Sequence, residues 1–242
     1  MSKPESAPRP PDDFSKFLAT KEPLLLVGGQ AVNVWALYYE DATLDLAPFV
    51  SRDVDVLGRR ETLREIAALA GVSPKYFSLK PPSNEVGYIL PNDATDAPML
   101  IEVLRWVNGV SEGELRSHAV TFSIGEQSVA VHVPSPVVLL QAKLANVDQI
   151  KQEGRQDTKH VRILFRIIPE YLNDFAESVR AGRRRERELI DVLNGLLALV
   201  IRESSVLVLS SLELEPAVLF ETLSVKGLPK VAAFKKHQLS RK

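Results

Sequence analysis

Two aspartates one residue apart, Asp53 and Asp55, stand in the run Ser51-Arg52-Asp53-Val54-Asp55-Val56-Leu57, which reads as a β-strand. Successive side chains of a strand point to opposite faces, so the two carboxylates share a face. Held side by side, they repel each other unless a cation lies between them. Hard oxygen ligands of this kind select Mg²⁺ or Mn²⁺. A third acid, Glu102, lies in the apolar run Met99 to Trp106. A carboxylate there is costly without a partner, either a cation or a neighbouring arginine such as Arg105 or Arg52.

The elements around these acids follow from periodicity. Leu24 to Val27 reads as a short, fully buried strand. Gly28 and Gly29 end it, where a backbone must turn tightly or approach a ligand closely, and a helix follows over Ala31 to Glu40. Ser135-Pro136 marks a later helix start, with Ser as N-cap and Pro in the first turn. In that helix, 136–151, residues Leu139, Leu140, Leu144, Val147 and Ile150 define one face. At about 3.6 residues per turn Lys143 falls in the middle of it. A lysine so placed either reaches out to the rim or meets an anion. In the next helix, 156–168, Val161, Leu164 and Ile168 form the apolar face. Asp157 shares that face at the first turn, as an N-terminal cap or as a functional acid. His160 flanks it.

Elsewhere, Asp12 to Thr20 reads as a short helix, and Arg59 to Ala70 as an amphipathic helix ended by Gly71. Strands are expected at Tyr76 to Leu79, Val86 to Leu90 and Met99 to Trp106, with a polar loop from Pro91 to Pro98. Ala119 to Ile124 and Ser128 to Val133 form a hairpin. A helix over 170–202 follows a break at Pro169. Val206 to Leu209 is a short strand or part of a helix. Glu213 to Ser224 and Lys230 to Gln238 are further helical segments.

The order of hydrophobic strand, Gly-Gly, helix and strand-borne Asp-x-Asp resembles the nucleotidyltransferase superfamily, the polymerase beta-like fold. The surroundings Arg52-Asp53-Val54-Asp55 look most like its bacterial AbiEii-type branch, which includes toxin-like enzymes. The resemblance covers roughly residues 22–165. It implies that Gly28 and Gly29 let backbone amides approach a triphosphate. It implies that Asp53 and Asp55 bind Mg²⁺ or Mn²⁺, with Glu102 as third carboxylate on a neighbouring strand. Lys143-Leu144 matches a Lys-Leu pair whose implied role is to hold triphosphate oxygens. Asp157-Thr158-Lys159-His160 is similar to a late Lys/Asp motif but differs in order. There Asp157 would pair with Lys143 or assist deprotonation of the acceptor hydroxyl. Ser51 stands where many members have Thr and could touch a phosphate, and Arg52 could pair with Asp55. Gln30 and Asn33 either line the nucleotide pocket or face solvent. The implied activity is Mg-dependent transfer of an NMP from an NTP to an acceptor hydroxyl on RNA or protein. A cognate antitoxin over the cleft is compatible with it. So is a catalytically silent protein of the same fold that binds a nucleotide or a partner.

Composition narrows the remaining classes. The chain has 242 residues, 45% of them apolar and 25% charged, so it can bury a sizeable core. It has no cysteine, which excludes disulfides, thiol catalysis and cysteine-bound zinc and suits a cytoplasmic setting. No apolar run approaches the roughly 18 residues of a membrane span. With a net charge of −1, any nucleic-acid contact must be a local patch. The expected organisation is an α/β (α+β) nucleotidyltransferase core with a mixed sheet, followed by a mostly helical C-terminal domain. Its parts are a disordered leader at 1–11, the core at 12–133, the helical domain at 134–225 and a basic tail at 226–242. Arg180, Arg183, Arg184, Arg185 and Arg187 alternate with Glu186 and Glu188, as on a solvated face. Lys226, Lys230, Lys235, Lys236, Arg241 and Lys242 either contact an RNA acceptor or form a soluble tail, with Phe234 the one aromatic for base stacking.

Overall fold

The computed structural model describes residues 6–78, 80, 83–91 and 99–239. The chain opens with a 3-10 helix at Pro11–Phe17, then enters β1 (Leu24–Val27), whose side chains are all buried. Helix α1 (Gly28–Tyr38) starts on the next residue. The glycine pair is therefore the first turn of the helix, earlier than the expected start at Ala31. Gly28 makes this abrupt entry at φ +68°, in the left-handed region that a side chain disfavours. A short helix α2 (Glu40–Thr43) leads to β2 (Asp53–Leu57) and α3 (Arg60–Ala70), which stops at the left-handed Gly71.

The strands β3 (Lys75–Tyr76), β4 (Glu85–Ile89) and β5 (Leu100–Leu104) come next. Helix α4 (Glu112–Arg116), started by a Ser111–Glu114 capping box, precedes the hairpin of β6 (Val120–Ile124) and β7 (Val129–Val133). Leu79, Pro81, Pro82 and residues 92–98 lie outside the described residues, so the expected end of the first of these strands, its following turn and the polar loop are not described. The mixed sheet has seven strands in the order β3-β4-β5-β2-β1-β7-β6. β2 runs parallel to β5 and antiparallel to β1, while β1 runs parallel to β7.

After the sheet the chain is helical: α5 (Pro136–Gln149), α6 (Asp157–Arg180), α7 (Glu186–Val200), α8 (Glu203–Ser211), α9 (Val218–Glu221) and α10 (Pro229–Phe234). Pro169 does not end α6. A proline inside a helix costs about 3 kcal/mol. The apolar stripe Val161, Leu164, Ile168, Leu172 and Phe175 is buried on both sides of it, and that burial outweighs the lost hydrogen bond. The break comes later, where Gly182 takes φ +70°. Val206 to Leu209 is helical, within α8. The expected helix over Glu213 to Ser224 shrinks to α9, because Glu213 turns left-handed and Pro216 follows.

One buried cluster runs from Phe14 through the sheet and the later helices to Phe234. It crosses the junction at residues 133 and 134 without a gap. Two expectations about the termini are corrected. Residues 6–11 of the supposed disordered leader are ordered, since Arg9 exchanges backbone hydrogen bonds of 2.9 and 3.0 Å with Ser51. The described part of the supposed basic tail is folded as well. Val231 and Phe234 are buried, and Lys235 donates to the carbonyls of Glu221 and Leu223. Phe234 packs against Phe220 and is not free for base stacking. Among the described residues no single helix is long and apolar enough to cross a membrane.

Candidate functional site

The acids come together by register. β2 and β5 are parallel neighbours, and Asp55 lies opposite Glu102 in the pairing. Strand alternation then puts Asp53, Asp55 and Glu102 on one face. Their ligand oxygens lie within 4.8 Å of one another, with Glu102 only 4% exposed. Ser51 donates a 3.0 Å hydrogen bond to Asp53 Oδ1 and so orients that carboxylate. Such a set of crowded oxygen ligands fits a hard divalent cation such as Mg²⁺ or Mn²⁺. Gly28 packs directly on Asp55: a Cβ built there would lie 1.9 Å from Asp55 Oδ2.

Facing the aspartates is a wall built from α5 and α6. Lys143, 5% exposed, donates to Asp157 Oδ1 at 2.8 Å, and Arg155 donates to Asp157 Oδ2 at 2.7 Å. Asn146 adds a longer contact of 3.4 Å to Oδ1. Burial alone would raise the Asp157 carboxyl, but the charges and hydrogen bonds of Lys143 and Arg155 outweigh it and hold the pKa at about 2. Asp157 is therefore a permanent carboxylate with both oxygens engaged, which suits it to fixing Lys143 and makes it a poor proton acceptor. His160, one turn further on and 4% exposed, is kept neutral by its burial and then by the Lys143 ammonium, which together push it well below its usual range.

Between the walls lies a cavity of about 210 Å³. Gly29, Ser51, Arg52, Asp53 and Asp55 line one side, and Lys143, Gly154 to Asp157 and His160 the other. Both α1 and α6 begin at this cavity, so their N-terminal amides and positive dipole ends meet there. The space is bipolar: two aspartates on one side, Lys143 and Arg155 around Asp157 on the other, and a helix start on each.

Not every expected residue lines it. Gln30 and Asn33 are corrected: both are buried, Asn33 donates to Gln30 Oε1, and Gln30 Nε2 donates to the Arg9 carbonyl at 2.9 Å. They clamp the N-terminal segment onto α1. Gly28 and Glu102 are not among the residues lining the cavity; each neighbours Asp55, which is. Lys159 is turned away, its ammonium on the Pro48 carbonyl. Arg155 was missed in the sequence, although a cation two residues before an acid at a helix start is a detectable signal. A larger cavity of about 710 Å³ lies beyond the carboxyl ends of β2 and β5, lined in part by Arg59, Arg60, Arg105 and Arg116. Its cations are partly committed, Arg116 to Glu112 and Arg105 to the carbonyls of Ser83 and Glu85. Among the described residues it has no cluster of metal-binding acids, so the smaller, two-signed space is the better candidate.

Comparison with protein-family models, with curated proteins and with solved structures finds no match for this chain.

Proposed function

We propose that the chain is a Mg-dependent nucleotidyltransferase of the polymerase beta-like kind, moving an NMP from an NTP to an acceptor hydroxyl on RNA or protein. The observation that carries this reading is the two-signed cavity. The acid cluster suits a divalent cation, and the opposite wall suits a chain of phosphates.

In this mechanism Asp53, Asp55 and Glu102 would hold the metal, which would supply charge neutralisation for the transferred nucleotidyl group. Amides at the start of α1 and the N–H groups of Lys143 and Arg155 orient the triphosphate oxygens. Asp157 holds Lys143 in place. The acceptor oxygen forms a bond to the α-phosphorus as the bond to the bridging oxygen breaks, and pyrophosphate leaves. The hydroxyl proton passes to a carboxylate of the acidic wall, since both Asp157 oxygens are engaged by Lys143 and Arg155. Positioning and preorganised charge supply most of the acceleration. An AbiEii-like, toxin-type setting with an antitoxin as partner belongs to the same reading.

The test is Mg²⁺-dependent release of pyrophosphate from each NTP in the presence of total RNA or total protein. Release by the wild type and its loss in Asp53→Ala/Asp55→Ala supports the reading. Stoichiometric NTP binding without pyrophosphate points instead to a silent nucleotide-binding protein.

A further inference from the structure

We infer that His160 is a phosphate-binding residue of this cavity, donating a ring N–H to an oxygen of the nucleotide's triphosphate beside the first turn of α1. The inference rests on the function proposed above and adds a residue to it.

His160 is 4% exposed, and neither ring nitrogen has a hydrogen-bond partner among the described residues. A buried donor and acceptor left unmade are costly, and native proteins rarely keep them without reason. The neighbours' hydrogen bonds run elsewhere. The Ser51 hydroxyl is given to Asp53, and Asp157 is given to Lys143 and Arg155. Lys159 is spent on Pro48.

The ring lies against the first turn of α1. A Cβ built on Gly29 would lie 3.1 Å from His160 Cε1. Cε1 is bonded to both ring nitrogens, so they lie close to Gly29 in the first turn of α1. His160 lines the same cavity as Lys143 and Gly29, with both ring nitrogens buried beneath its surface. The imidazole thus occupies room that a side chain at Gly29 would deny it, and in the proposed complex the ring turns to bring one of its buried nitrogens to a phosphate oxygen.

The chemistry selects phosphate over metal. The residues whose oxygens converge on a cation site are Asp53, Asp55 and Glu102, and His160 is outside that group. A neutral imidazole offers one N–H donor, and phosphate oxygens are acceptors. Burial and the Lys143 charge keep the ring neutral. It therefore adds a hydrogen bond to the phosphate wall without adding repulsion against Lys143 and Arg155.

The experiment compares wild type, His160→Phe and His160→Gln by titration with inorganic tripolyphosphate and with an NTP, both with Mg²⁺. Phenylalanine fills the ring's volume without its polar atoms, and glutamine keeps a neutral N–H donor. His160→Phe is expected to be at least as thermally stable as wild type, yet to bind tripolyphosphate about 10- to 100-fold more weakly, the range of one hydrogen bond to a charged group. His160→Gln is expected to recover part of that loss. The ¹⁵N resonances of the His160 ring in wild type are expected to move when tripolyphosphate is added, a readout independent of whether any variant folds. Unchanged tripolyphosphate affinity in a folded His160→Phe, or ring resonances that do not respond while the wild type binds, would overturn the role of His160 and leave the proposed function standing. A wild type that binds neither tripolyphosphate nor NTP would overturn both.

Discussion

The Lys143–Asp157–Arg155 cluster makes a quantitative prediction about acid stability. Asp157 titrates at about 2 in the folded chain against an ordinary 3.8. At about 1.4 kcal/mol per pH unit, that drop is worth about 2.5 kcal/mol of folding free energy. The folded value is the lower one, so this stability is fully present above pH 4 and is lost as pH falls from about 4 to about 2. Asp157→Asn removes the titrating group and leaves the Lys143 ammonium buried beside a neutral amide. Breaking a buried pair in this way costs about 3–5 kcal/mol at neutral pH. Arg155 is 40% exposed at its side chain and can turn to water, so the lower end of that range is expected. The assay is urea unfolding of wild type and Asp157→Asn at intervals from pH 7 to pH 2. The stability gap between the two proteins should narrow by about 2.5 kcal/mol across the acid range. A gap that stays constant from pH 7 to pH 2 would refute the claim that Asp157 is held ionised by its partners.

Other parts of the site give their own tests. Gly28→Ala places a Cβ 1.9 Å from Asp55 Oδ2 at a residue with φ +68°; backbone strain of about 1–2 kcal/mol plus overpacking of about 1–3 kcal/mol should appear in denaturant unfolding. A Gly28→Ala/Asp55→Gly double-mutant cycle should recover the overpacking part, and simple additivity of the two changes would contradict the contact. Mg²⁺ at a hundredfold excess over its Kd should stabilise wild type by about 2.7 kcal/mol, reversed by EDTA. Asp53→Asn/Asp55→Asn should show no such gain and, in EDTA, should be at least as stable as wild type, because carboxylate repulsion is relieved. Lys235→Met should lower stability by about 1 kcal/mol through its lost bonds to the Glu221 and Leu223 carbonyls; a change in RNA binding with unchanged stability would restore the tail interpretation.

What the sequence disclosed, it disclosed through periodicity. The two-residue spacing of Asp53 and Asp55 and the helical spacing of Lys143 and Asp157 identify which faces those side chains share. Ser135-Pro136 marks a helix start by local chemistry alone. Contacts between distant segments carry no such signature. The pairing of Asp55 with Glu102 depends on a parallel register between strands far apart in the chain, and the residues alone left Glu102 with either a cation or an arginine. The clamp of Gln30 on Arg9 joins a helix to a proline-rich segment that looks featureless by composition. Pro169 misleads because its local cost is visible and the burial that outweighs it is not. His160 is ambiguous for the same reason: its type says little, and its meaning lies in which neighbours are already spent.

The most direct measurement is a paired transfer assay with α-³²P- and γ-³²P-labelled NTP, Mg²⁺, and total RNA or total protein as acceptor. The account predicts that the α-label becomes covalently attached to one acceptor fraction while the γ-label leaves as pyrophosphate, and that Asp53→Ala/Asp55→Ala abolishes both. Tight, Mg²⁺-dependent NTP binding with neither label moving, or γ-label appearing on the acceptor, would contradict it.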